Sequence, residues 1–209
     1  MTDYASFFDA PPAPSTRIVE LGSLAVPSGH IYCCDPFLSS EVGPLETAVS
    51  PGDYAVQMCS MLRPEWGWRV ALARLVFSTH RVVQWREAVY VMNGERSSEF
   101  RVDAGLACFM DASTRDLLVR TVSALHAQGE RANYYDDVLA PEFKKNADPA
   151  NPSHAGDWAM HAPMAGHRGN VALFASGLGD GLYRAYWGLD VAGNPAMLVA
   201  DFDLLTTPT

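Results

Sequence analysis

Four residues of the sequence are candidate ligands of a metal ion: Asp136, Asp137, Asp180 and His161. A metal-assisted hydrolase needs several oxygen or nitrogen ligands that converge on one ion from separate segments. Asp136 and Asp137 are adjacent, and neighbouring side chains on a helix diverge by about 100°. One of the pair is therefore expected to cap a helix while the other faces water. These four residues define metal-assisted hydrolysis as an alternative function.

Asp180 and His161 each have a simpler structural interpretation. Asp180 lies in the glycine-rich segment 177–181, where its side chain is suited to an Asx-type turn. The segment resembles a phosphate loop only superficially, because it lacks the Lys and Ser/Thr that complete one. His161 is one of three histidines in residues 144–168, and their spacing matches no closed zinc site. The sequence therefore predicts no cofactor.

A second group of residues is predicted to bind a protein partner. Asp201 and Asp203 alternate with apolar residues in the last apolar run, which places them on one face of a strand, roughly 6.5–7 Å apart. Arg184 and Tyr186 lie in the preceding run and complete the predicted surface. Such a face suits a basic partner, although two exposed acids on a polar face are also an ordinary arrangement.

No complete catalytic motif accompanies these residues. The sequence contains neither a GxSxG motif nor a recognised cysteine-nucleophile signature. We therefore favour a non-catalytic binding protein over the hydrolase. The two hypotheses differ in what they require of the structure, because the hydrolase needs three acids and a histidine within ligand distance of one another.

The charge of the 209-residue chain narrows the class of partner. Its net charge of −9 argues against a protein that binds nucleic acid, which would need clustered Lys and Arg. The charge is compatible with a basic protein partner, because opposite charges speed encounter, and also with solubility alone. We expect no nucleic-acid and no membrane partner.

The location of the protein is predicted from three absences in the sequence. No segment approaches the ~20 apolar residues of a membrane-spanning helix. The first residues lack the basic start and apolar stretch of a signal peptide. The four cysteines show no metal-binding spacing and are interpreted as buried free thiols, consistent with a reducing compartment. We therefore expect a cytoplasmic protein.

Three apolar runs near the end of the chain predict the fold class. They cover residues 171–176, 182–189 and 196–205, and turn-forming residues separate them, which is typical of an antiparallel meander. A helix is predicted from a capping box at 113–116, and a second short helix from 133 to 139, ending before Pro141.

Together these elements predict an α+β fold. We expect one β-rich domain over 17–209, built mainly of antiparallel sheets with one or two short helices. Residues 1–16 contain three prolines and are predicted to form a flexible tail, with Phe7 and Phe8 able to dock it.

Several motifs, taken in order, resemble one bacterial family. They are HIYCCDP (30–36), PGDYAV (51–56), DAGLACFMD (103–111), YYDDVLA (134–140) and GLGDGLYRAYWGLD (177–190). The set is similar to the domain of unknown function 4241 (DUF4241). That resemblance implies a single β-rich domain with few helices and supplies no catalytic residues. Members look similar in size and composition to immunity-type proteins of bacterial toxin systems. We therefore expect a binding protein of unknown partner, with an immunity or regulatory role in such a system as the finer hypothesis.

Overall fold

Antiparallel strands dominate the structure, a computed structural model that describes residues 2–92, 94–127, 129, 132–149 and 155–205. The strands are β1 (Thr16–Val26), β2 (Ile31–Cys34), β3 (Val42–Leu45), β4 (Gly52–Arg63), β5 (Gly67–Val76), β6 (Gln84–Glu87), β7 (Tyr90–Met92), β8 (Glu95–Ser97), β9 (Glu99–Val102), β10 (Leu106–Asp111), β11 (Trp158–His161), β12 (Val171–Ala175), β13 (Gly181–Leu189) and β14 (Pro195–Asp201). Every pairing among the described strands is antiparallel. The predicted fold class, an α+β domain rich in antiparallel sheet, is confirmed.

The strands form three sheets. The large sheet has the order β1-β4-β5-β14-β13-β6, and β9 also pairs with β13. The small sheet has the order β11-β12-β10-β2, and a third sheet contains β3, β7 and β8. The inner face of the large sheet packs on the small sheet, as two sheets do in a sandwich. The opposite face of the large sheet is called the outer face below.

Large apolar side chains fill the space between the two main sheets. Phe109 and Phe174 of the small sheet meet edge to face, with ring centroids 5.0 Å apart. The large sheet contributes a matching set of buried residues: Leu24, Val56, Leu75, Trp187 and Leu198. Burial of each such side chain contributes about 1.5–3 kcal/mol relative to exposure, so this layer holds the two sheets in a fixed relation.

One predicted strand belongs to a different sheet. β13 and β14 pair directly, as expected, but β12 pairs with β10 and β11 in the small sheet. The predicted three-stranded meander is therefore wrong. The chain passes between the sheets at Gly177, whose φ of 57° favours glycine and whose absent Cβ would lie 2.9 Å from the Cβ of Phe202.

Helices cover the second face of the small sheet. They are α2 (Ala112–His126) and α3 (Ala140–Lys145), the latter preceded by a π-helical turn over Tyr135–Leu139. Leu118, Leu139 and Phe143 are buried there against the small sheet. This apolar contact stabilises both helices, and it explains why α3 forms although it has only 6 residues.

The ends of these helices differ from the sequence prediction. The N-cap of α2 is Asp111, whose carboxylate accepts a hydrogen bond from the backbone N–H of Ser113 at 2.8 Å, so Ser113 is not the cap. Pro141 lies in the first turn of α3 and does not end a helix. The backbone N–H groups of a first turn have no acceptor within the helix, so a proline there costs no helical hydrogen bond.

The first residues pack on the outer face of the large sheet. We call residues 2–9 the arm; it contains the single helical turn α1 (Ser6–Asp9). Tyr4 and Phe8 of the arm are buried among apolar residues of β4, β5, β6 and β14. The expected docking of Phe8 is thus present, and the arm covers part of the surface on which partner-binding residues were predicted.

Candidate functional site

The two aspartates of the predicted partner surface do not share a strand face. β14 ends at Asp201, whose side chain lies almost wholly inside, at 9% exposure. Asp203 follows in a left-handed conformation, with φ of 56°, and its backbone N–H donates to Oδ1 of Asp201 at 3.0 Å. The prediction of one acidic strand face is therefore wrong, because the chain leaves the strand between the two residues.

The arm covers Asp201 and packs on Tyr186. The ring of Tyr4 stacks on Tyr186, with centroids 4.8 Å apart, and meets Trp85 edge to face at 5.0 Å. The Tyr4 hydroxyl interacts with the Asp201 carboxylate, and burial with this negative charge raises the pKa of Tyr4 strongly. Burial also raises the pKa of Asp201, although the N–H of Asp203 and the Tyr4 hydroxyl oppose that shift.

Arg184 lies beside this region among three carboxylates. Its Nε is 3.9 Å from Oε1 of Glu87, and its Nη2 donates to Oε1 of Glu99. Asp203 is the third acid: burial raises the pKa of its carboxyl, and the charge of Arg184 opposes that shift. We call Arg184, Glu87, Glu99 and Asp203 the acidic cluster. It carries three negative charges against one positive charge.

Three of the four predicted metal ligands make separate contacts. Asp180 accepts a hydrogen bond from the backbone N–H of Gly105 at 2.9 Å, which ties two loops together. Asp137 accepts one from the backbone N–H of Asn133, also at 2.9 Å, at the start of the π-helical turn. Asp136 is exposed to solvent. The side chain that accepts from the first N–H groups of the turn is that of Asn133, so neither aspartate of the adjacent pair is its N-cap.

His161 belongs to a buried chain of hydrogen bonds. Its Nε2 lies 2.8 Å from the Tyr134 hydroxyl, and its Nδ1 lies 3.0 Å from Oε2 of Glu142. Burial lowers the pKa of His161, while Glu142 opposes that shift, and burial raises the pKa of Tyr134 to about 12. This chain of hydrogen bonds joins α3 to β11. Over the described part of the protein, no three His, Cys, Asp or Glu side chains are grouped to hold a metal ion.

A cleft that sequence reasoning missed lies between the arm and residues 78–83. It has a volume of about 690 Å³, and we call it the arm cleft. Its lining includes Arg74 of β5 together with His80 and Arg81. Arg74 is the charged residue that interrupts the apolar run 69–77, which is the one signal in the sequence that points to this place.

Arg74 links the arm to the outer face of the large sheet. It is buried, and its Nη1 donates to Oδ1 of Asp9 at 2.8 Å, while its Nε donates to Oε1 of Gln57. The guanidinium also lies over the ring of Phe8, 4.4 Å from its centroid. A buried cation needs such partners, so Asp9 compensates the charge of Arg74.

Comparison with known proteins gives one match. A family model described as "Protein of unknown function (DUF4241)" matches residues 24–200, most of the chain. No curated protein and no solved structure matches it. None of the helices within the described residues has the length and apolar character to cross a membrane.

Proposed function

The chain belongs to the DUF4241 family, whose description assigns no activity, and we propose that it is a non-catalytic binding protein with a basic protein partner. One observation carries the proposal: the acidic cluster places three carboxylates around a single arginine on the outer face of the large sheet. Because Arg184 compensates only one of the three charges, the cluster keeps a local negative charge that a Lys or Arg of a partner can neutralise.

An exposed apolar residue adjoins the acidic cluster. Leu182 is two residues before Arg184 on β13, so both side chains point to the outer face. The Leu182 side chain is 60% exposed. A single exposed leucine is ordinary on a protein surface, but beside a charged cluster it supplies the apolar contact that interfaces combine with charge complementarity.

An immunity or regulatory role in a bacterial toxin system is the finer form of this proposal. A toxin active site that accepts a polyanion presents basic groups, and an acidic protein surface can occupy such a site. The net charge of −9 and the acidic cluster support this setting. The metal-assisted hydrolase has no comparable support, because Asp180, Asp137 and His161 make separate contacts and Asp136 is exposed.

Neutralisation of the acidic cluster tests the proposal. Glu87→Gln, Glu99→Gln and Asp203→Asn remove its three negative charges and keep the side-chain shapes. Asn is chosen at position 203 because it tolerates the left-handed backbone there. Asp201 is left intact, because the side chain is buried and a change would alter folding.

The control variant neutralises three exposed acids elsewhere, Glu41, Glu65 and Asp116. Each protein is immobilised and used to capture partners from native lysate, with and without a chelator. We expect the wild type and the control to retain the same basic protein at a stoichiometric ratio, and the cluster variant to lose it. If both variants retained the partner equally, the acidic cluster would be excluded as the binding surface. If the partner were lost only when chelator is present, a metal-dependent activity would be favoured.

A further inference from the structure

The arm cleft contains positive groups that the proposed function does not use. Arg74 uses Nε and Nη1 for Gln57 and Asp9, and its Nη2 has no hydrogen-bond partner among the described residues. Arg81 is exposed and has no ion-pair partner in the described part of the chain. Two guanidinium groups therefore contribute unused N–H donors to the lining of one cleft, which also contains the carboxylates of Asp3 and Asp9.

Neutral polar groups lie next to these guanidinium groups. Ser78 and Thr79 line the arm cleft with their neighbour His80. His80 contacts Oδ2 of Asp190 through Nδ1, at 3.1 Å, so that nitrogen is not open to a ligand. Hydroxyl and guanidinium groups are donors that proteins use to bind phosphate and carboxylate oxygens.

The arm cleft also has an apolar part. Val83 is exposed, and Trp85 and Met197 form part of the same lining. Ligand sites of roughly 300–1,000 Å³ commonly combine such apolar walls with a few placed polar groups. At about 690 Å³ the arm cleft falls in that range.

We propose that the arm cleft binds a small organic anion, in which a phosphate or carboxylate group is attached to an apolar body. Asp9 already shows the geometry within the chain, because its carboxylate accepts from Arg74 at 2.8 Å. The anionic group of the ligand contacts Arg81 and the free Nη2 of Arg74, and the apolar body packs on Trp85. This site is distinct from the acidic cluster and does not depend on a protein partner.

Three probes of similar size and different charge test the site: phenyl phosphate, benzoate and benzylamine. Each is titrated into the full chain at constant ionic strength by calorimetry, and the Nε–Hε signals of the arginines are followed by NMR. We expect saturable binding of phenyl phosphate or benzoate with shifts at Arg74 and Arg81, and no binding of benzylamine. The stronger of the two anions identifies a phosphate ester or a carboxylic acid as the ligand class.

Arg81→Ala is the test variant, because the residue is exposed and its loss leaves the core intact. We expect the affinity for the bound anion to fall by about tenfold or more, as for the loss of a charged hydrogen bond. Arg120→Ala removes an exposed arginine of α2 and serves as the control, with unchanged affinity. Absence of saturable anion binding, equal binding of benzylamine, or equal losses in the two variants would overturn the proposal.

Discussion

Asp201 is the residue whose ionisation most directly affects the outer face of the large sheet. Burial raises its pKa above the ordinary value of 3.8, so the folded protein holds this proton at a higher pH than the unfolded chain does. Between those two pKa values the free energy of unfolding falls as pH rises, and above them the full cost of the buried charge is present. Asp201→Asn removes the titrating group and keeps an oxygen that can accept from Asp203. We therefore expect the stability of the variant, relative to wild type, to increase from pH 3.5 to pH ~7 in urea unfolding.

Asp190 has a lowered carboxyl pKa, opposite in direction to that of Asp201, and it can be tested in the same urea unfolding experiment. The N–H groups of Asn194 and Ala192, together with His80, lower its pKa below 3.8. Its charged form therefore stabilises the folded protein above that value, and the contribution is lost as pH falls through the lower pKa. Asp190→Asn should lose the most stability near neutral pH and the least in acid. If both variants had the same pH dependence, the opposite shifts of the two carboxyl pKa values would be refuted.

At the scale of elements, the arm is held by a few side chains. Tyr4 is buried between Trp85 and Tyr186, whereas the neighbouring Phe7 is only half-buried. We expect Tyr4→Ala to detach the arm, because a single helical turn is not stable without its packing. The backbone amides of α1 should then lose their hydrogen-exchange protection, while the amides of β5 keep theirs.

Phe7→Ala is the matched control, since it removes an aromatic ring from the same arm. It should leave most of the exchange protection of α1 in place. Equal loss of protection in the two variants would mean that total apolar area, and not the stacking of Tyr4, holds the arm.

Local sequence patterns predict the individual strands of this protein better than they predict which strands pair with one another. Alternation and turn residues identify β13 and β14 because these strands are joined by a short turn and pair directly. β12 is also identified as a strand, but its partners, β10 and β11, are distant or weakly patterned, so its sheet is not predicted. Pairing between distant segments leaves no periodic signal in either one.

The same limit applies to the candidate sites. Asp201 and Asp203 have the spacing of a strand face, but the strand ends between them, and boundaries are the least reliable part of a pattern. The arm cleft joins the arm, β5 and residues 78–83, which are far apart in sequence. In the sequence, Arg74 stands out as a charge within an apolar run and so points to the arm cleft. The residues around Arg74 do not indicate that Asp9 is its partner.

At the scale of the whole molecule, charge acts in two ways on a basic partner. The net charge of −9 attracts the partner from a distance, and the acidic cluster contacts it after docking. Long-range attraction governs the association rate and is screened by salt within about 10 Å at 0.1 M, whereas close contacts govern the dissociation rate. The two contributions can be separated with the cluster and control variants, because each carries three fewer negative charges than the wild type.

The rates should differ between these two variants in a defined way. Both should associate more slowly than the wild type by a similar, small factor at low salt, and this difference should shrink as salt is raised, because the change in net charge is the same. Only the cluster variant, which lacks Glu87, Glu99 and Asp203 as charged groups, should dissociate faster, and this should persist at high salt. Surface plasmon resonance with the captured partner from 50 to 500 mM salt measures both rates. Equal dissociation rates would show that the partner is attracted by the net charge of the protein and binds elsewhere than at Arg184.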